Sequence, residues 1–214
     1  MCHGCEAVEP LEDALAYEDR NPWFSRHLAD MLVAEGSTMP ATRFEPTGSA
    51  VIDGEYRYEL TRSWGTGRHL GIIMLNPSTA DANEDDPTIR RCIGFAKALG
   101  YSGLKVVNLF ALRSTSPAAL SEHPDPVGPR NDEFIRRAAS GGMLIAAWGA
   151  HPFAAKRARE VADVLHDAGV KLQALKVTKE GHPGHPLYLP SDSRPAPWGP
   201  AGTAMAEQAV TDRV

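Results

Sequence analysis

The sequence predicts an α/β fold, a three-layer α/β/α sandwich with a four-stranded parallel core sheet. Three observations lead there. Short apolar runs of strand length recur, segments with helical spacing stand between them, and each run stops at a polar turn. The run Gly71-Ile72-Ile73-Met74-Leu75 has the continuous apolar character of a strand buried on both faces.

Residues 1–48 read as an N-terminal extension. Asn21 and Pro22 open a helix whose apolar stripe is Trp23, Phe24, Leu28, Met31, Leu32 and Val33, and Gly36 ends it. The body spans 49–190. It begins with an edge hairpin over 50–64, turning at Asp53-Gly54, in which Tyr56, Tyr58 and Leu60 face inward and Arg57, Glu59 and Thr61 face out. The central strand over 71–75 follows, and it must end near Asn76 because Pro77 has no N–H to donate to a ladder. An acidic loop from Asp81 to Asp86 leads into a helix opened by Pro87-Thr88 and closed by Gly100, with Asp86 or Thr88 as its cap.

The second buried strand runs from Leu104 to Phe110 and is interrupted by Asn108. A loop carrying Arg113 leaves it. A helix through Phe134, Ile135 and Ala138 comes next, then a third strand from Met143 to Gly149, a helix from about Pro152 to Ala168, and a fourth strand from Lys171 to Val177. Residues 191–214 form a proline-rich tail, and no internal repeat is visible.

The 214 residues carry 43% hydrophobic content, enough for one sizeable core, and contain no run approaching a membrane span. The start lacks a basic segment followed by an apolar core, so the expected compartment is the cytoplasm and no membrane partner is expected. A net charge of −5 argues against non-specific coating of nucleic acid, which needs lysine and arginine to neutralise phosphate. The cysteines number three, too few for a disulfide framework. Cys2 and Cys5 flank His3 but undersupply a four-coordinate site, and Cys92 sits where a helix buries its face; no metal and no cofactor is expected.

Several pieces in chain order carry a resemblance. Leu75-Asn76-Pro77-Ser78 resembles the first motif of the uracil-DNA glycosylase superfamily, and Val106-Val107-Asn108-Leu109 its second-strand asparagine. Ala147-Trp148-Gly149 looks like its tryptophan-glycine strand end, and His185-Pro186 like its histidine-proline motif. The stretch from Arg57 through Tyr188 is also similar to a bacterial and phage family catalogued only as a domain of unknown function. That family shares Asn-Pro-Ser-Thr-Ala-Asp and His-Pro-Leu-Tyr, here at 76–81 and 185–188.

The resemblance implies an N-glycosidase acting on a nucleoside, nucleotide or nucleic-acid base. Breaking that bond needs a stabilised oxocarbenium-like sugar, a directed water and a donor for charge on the leaving base. On this reading Asn108 reads a base edge, because an amide offers donor and acceptor in one plane. His185 donates to the base, Asn76 holds the water, and Pro77, Ser78 and Thr79 complete the turn around it. Asn76 cannot take a proton, so a carboxylate at Asp81, Asp85 or Asp86 is the candidate base, with Asp85 read first as part of a solvated loop, and an aspartate at 76 is expected to raise the rate.

Thr88, Trp148 and Tyr188 join the substrate-binding set, as do Arg90, Arg91 and Arg113 as clamps on phosphate. Each has a plainer alternative: Asp81 in a solvated loop, Asp86 as a helix cap, Asn108 as a satisfied core amide, His185 as a turn residue, the arginines as solvated surface. A non-catalytic nucleotide or nucleic-acid binding module, or another nucleotide-processing enzyme, would use the same pocket.

Overall fold

The computed structural model of the chain describes residues 45–116 and 118–199; the helix expected at 21–36 and Cys2 and Cys5 lie outside them. Among the described residues the fold is α/β, a mixed sheet of seven strands with four helices. The strands are β1 (Thr47–Asp53), β2 (Tyr56–Ser63), β3 (His69–Met74), β4 (Gly103–Asn108), β5 (Leu144–Ala146), β6 (Leu172–Ala174) and β7 (Ala196–Pro197). Their order across the sheet is β1-β2-β4-β3-β5-β6-β7. The pairs β4–β3, β3–β5 and β5–β6 are parallel, while β1–β2, β2–β4 and β6–β7 are antiparallel.

Central β3 is buried as its composition requires, with Leu70, Ile72 and Ile73 at 0% exposure. Each such side chain contributes roughly 1.5–3 kcal/mol by leaving water. Alternation then sends neighbours into separate cores. Ile73, Val107, Leu144 and Ala146 pack with helices α3 (Asn131–Ala139) and α4 (Ala154–Asp167), whereas Ile72, Val106 and Ile145 pack with α1 (Pro87–Ala98). A short helix, α2 (Ala119–Glu122), and a 3₁₀ turn (Pro186–Tyr188) complete the elements. Among the described residues no helix is long and apolar enough to cross a membrane.

The cap of α1 is Asp86, whose Oδ1 accepts from the Ile89 N–H at 2.8 Å, with Pro87 in the first turn. Gly100, at φ +75°, ends the helix where a side chain would be strained. Cys92 lies on its buried face, and burial pushes the thiol up to about 12.

Two expectations need correction. The alternation proposed for β2 put Arg57, Glu59 and Thr61 outside, yet Arg57 is 3% and Glu59 8% exposed. The strand is interior, covered by β1 and β4, and its register shifts: Val51 pairs with Glu59 but Ile52 with Arg57, leaving Tyr58 as an extra residue. That bulge reverses the alternation below residue 59. The tail expected from residue 191 also enters the fold. Ala196–Pro197 pair with β6, and Trp198 packs edge-on against Trp148 at 5.0 Å while donating from Nε1 to the Gly181 carbonyl at 2.9 Å.

Candidate functional site

Parallel strands ending together leave their following residues at one edge, where α/β sheets bind ligands. At the carboxyl ends of β3, β4 and β5 lies a cleft of about 620 Å³, a size suited to a small ligand. Asn76, Asn108 and His185 all line it, as do Ser78, Asp86, Thr88, Trp148 and Tyr188. Pro77, Thr79, Asp81, Arg90, Arg91 and Arg113 do not.

Asn108 is 1% exposed, and among the described residues neither its Nδ2 nor its Oδ1 has a partner. An orphaned buried amide costs about 1–3 kcal/mol, which a ligand in the cleft would return. Its backbone, in contrast, is clamped. Fully buried Asn131, at the start of α3, donates Nδ2 to the carbonyls of Asn108 at 3.0 Å and Leu109 at 2.9 Å, and Arg157 Nε from α4 adds a bond to Leu109 at 3.1 Å. The peptide is fixed while the side chain is left unsatisfied.

Asn76 is the converse case. Its Nδ2 donates to the carbonyls of Pro77 at 3.0 Å and Ser114 at 2.9 Å, which locks the amide and leaves Oδ1 as the group able to accept from a ligand or water. Ser114 N–H also donates to the Pro77 carbonyl at 2.9 Å, so the two loops are stitched together around this residue. An aspartate here would lose both bonds, so a lower rate is now predicted in place of the gain expected from the sequence.

His185 is held from three sides. The Gly184 N–H donates to the Lys176 carbonyl at 2.7 Å, Pro186 is buried behind it, and the Leu187 N–H points at Nδ1 across 3.4 Å. A backbone N–H can bond only to a bare Nδ1, so the proton sits on Nε2. Burial lowers the His185 pKa from its ordinary 6.5, with Asp86 opposing the shift, and the ring is neutral at pH 7. Gly149 lies beside it at φ +77°, a backbone that favours glycine, while a Cβ there would make ordinary contact with the His185 Cβ at 3.4 Å. Gly149→Ala is expected to cost about 1–2 kcal/mol from the left-handed backbone alone, read as a lower unfolding midpoint in urea; an unchanged midpoint would show that the turn has no such constraint.

Among the acids, Asp81 Oδ1 accepts from the N–H groups of Asn83 at 2.8 Å and Glu84 at 2.9 Å, and these bonds hold its pKa down. It organises its own loop and stands outside the cleft. Asp86 caps α1 and also lines the cleft, so its place as a helix cap does not remove it from the site.

Two of the three arginines proposed as phosphate clamps are engaged elsewhere. Arg90 donates to the Asp85 carbonyl. Arg91 donates to the Leu189 carbonyl and lies over the Phe95 ring at 4.9 Å, tying α1 to the turn that carries His185. Arg113 is exposed, as is Thr79, and Pro77 is buried with its carbonyl occupied. Among the described residues two other cations do line the cleft, Lys176 and Arg57, and the sequence placed Arg57 on the outer face. Its only warning was the Tyr-Arg-Tyr-Glu-Leu run, whose regular alternation concealed the bulge. Lys176, Thr178 and His151 also line the cleft and had carried no signal beyond lying near strand ends.

Fold and cleft together define an α/β protein with a pocket at the carboxyl edge of its sheet. The chain belongs to a family of proteins described as of unknown function (DUF1643), whose model matches residues 57–187. The matched stretch opens at Arg57 and includes every residue of the cleft named above except Tyr188 and Leu189, which follow it directly. No curated protein matches the chain.

Proposed function

We propose that the cleft hydrolyses the N-glycosidic bond of a nucleoside, nucleotide or nucleic-acid base, on a three-layer scaffold similar to the uracil-DNA glycosylases. The observation that carries this is Asn108: a planar amide, both of whose polar atoms lack partners, in a cleft shared with a neutral histidine. Its donor and acceptor match a base edge. His185 Nε2–H is the donor for charge that builds on the departing base, and Asn76 Oδ1 holds the attacking water. Asp86 replaces Asp81 as the carboxylate near that water, with one oxygen on the Ile89 N–H and the other able to take the proton. Ser78 and Thr88 add hydroxyls along the same wall, and Trp148 and Tyr188 add aromatic surface for a base or sugar.

The locked amide of Asn76 favours a second reading, a nucleotide-binding module without chemistry, because an amide cannot serve as a base. Chromatographic detection of released base across nucleosides, nucleotides and single- and double-stranded DNA separates the two. Release is expected with at least one of these substrates, and Asn108→Ala should weaken discrimination between bases by about 1–3 kcal/mol. Binding without release on every substrate leaves the module standing. Release that is indifferent to Asn108 points to another nucleotide-processing chemistry.

A further inference from the structure

We propose that Arg57 is the anchor for a phosphate, making the substrate a free nucleotide rather than a bare nucleoside or a DNA strand; this rests on the base-binding reading of the same cleft. The case begins with the bulge. Without Tyr58 as an extra residue, Arg57 would fall on the face of β2 that carries Tyr58 and Glu59; with it, Arg57 shares the face of Leu60 and Arg62 and reaches the cleft. Bulges beside sites commonly re-aim a side chain in this way. Because β2 runs antiparallel to β4, its first residues lie at the same sheet edge as Asn108.

Arg62 gives the comparison. It is 8% exposed, and its guanidinium is fully engaged: Nε meets Asp85 Oδ1 at 2.8 Å, and the two terminal nitrogens reach the carbonyls of Thr61, Asp81 and Glu84. Arg57 is more buried, at 3%, yet its hydrogen bonding rests on Nη1 alone, which donates to the Ala80 carbonyl. Among the described residues Nε is buried with no partner, Nη2 has none, and no carboxylate forms an ion pair with this side chain.

Nε–H and Nη2–H form the side-on fork with which arginine grips two oxygens of one anion. The protein fills the other nitrogen and leaves the fork. Burial lowers the Arg57 pKa to about 10, helped by Arg113 and Arg62 and opposed by Asp86 and Asp81, so the cation persists at neutral pH. A buried unpaired charge is costly, and an incoming anion relieves it. A group enclosed to this degree receives an anion that ends a molecule better than one continued on both sides by a polymer, and the net charge of −5 disfavours a long polyanion.

Isothermal titration of the full chain with nucleoside 5′-monophosphates, the matching nucleosides, inorganic phosphate and a short single-stranded oligonucleotide tests this, using wild type, Arg57→Gln and Arg57→Lys. At least one monophosphate should bind tenfold or more tightly than its nucleoside. Arg57→Gln should erase that ratio, and Arg57→Lys should restore only part of it because the fork is lost. In wild type, inorganic phosphate should compete with the monophosphate but not with the nucleoside, a result that does not depend on the variants folding.

Equal binding of nucleoside and monophosphate, a ratio that survives in folded Arg57→Gln, tighter binding of the oligonucleotide, or no binding by any phosphate compound overturns the proposal. Nucleoside binding that depends on Asn108 without a phosphate gain removes this anchor and keeps the base site. Phosphate binding that depends on Arg57, with no base dependence and no released base, does the reverse.

Discussion

His185→Ala is expected to slow base release by about 100-fold or more in single-turnover experiments while changing substrate affinity little. The neutral ring donates from Nε2, and such a donor strengthens only as negative charge collects on the leaving base, so its loss falls on the chemical step. The pH profile supplies a second readout. Burial places the folded-state pKa below the ordinary 6.5. The active form is therefore full above that value and is lost as pH falls through the lowered one, because a proton on Nδ1 would oppose the Leu187 N–H across 3.4 Å.

Stability should move the same way. A histidine kept neutral by the fold costs nothing above the unfolded pKa and destabilises progressively as pH drops through it, since the unfolded chain takes up the proton first. The acid limb of kcat/KM should accordingly lie below pH 6.5. Affinity that collapses along with the rate in His185→Ala, with circular dichroism unchanged, would make this residue part of base binding.

Much of this arrangement was legible in the sequence, for a physical reason: proline and buried apolar runs leave few alternatives. Pro77 ends β3 just past its apolar run, and Asn76 and Asn108, each at the carboxyl end of a parallel strand, must share that edge. His185, before the 3₁₀ turn and well beyond the end of β6, reaches it through a loop that no apolar run dictates. Asn76, Asn108 and His185 do line one cleft. What stayed hidden depends on register and on long-range partners. A one-residue bulge turned Arg57 inward, and no local pattern announces an extra residue in a strand whose alternation still looks regular.

Arg91 and Arg57 exchanged their expected places for the same reason. Adjacent arginines at a helix start look like a phosphate clamp until the Leu189 carbonyl, 98 positions away, takes one of them. Trp198 likewise became a core residue through contact with Trp148, although the prolines around it suggested a tail. Asp81 and Asp86 could be told apart only once their backbone partners were visible: one carboxylate closes a loop, while the other caps a helix and still faces the cleft.

Asn76→Asp is expected to destabilise the domain and lower activity, although a carboxylate at this strand end would seem the better base. The amide nitrogen that the substitution removes donates to two backbone carbonyls, at 3.0 Å and 2.9 Å. A carboxylate oxygen in that position faces both as an acceptor against acceptors. Losing the two bonds costs roughly 1–3 kcal/mol, and stranding the carbonyls with a nearby negative charge raises the total to about 3 kcal/mol or more. For a chain of this length that corresponds to a fall in Tm of about 6–12 °C.

Protonating the introduced side chain gives back one donor for the two that were lost. The variant's pKa is therefore raised in the folded state, and its deficit relative to wild type should shrink as pH falls through that raised value toward the ordinary aspartate range. Asn76→Ala separates the two contributions, since it strands the same carbonyls without adding charge and should be the less destabilised of the pair. Thermal melts between pH 4 and pH 8 on all three proteins, beside single-turnover rates, read each part. A faster Asn76→Asp enzyme with an unchanged melt would mean that the amide turns over readily to face water, and that its two carbonyl bonds do not hold the loop.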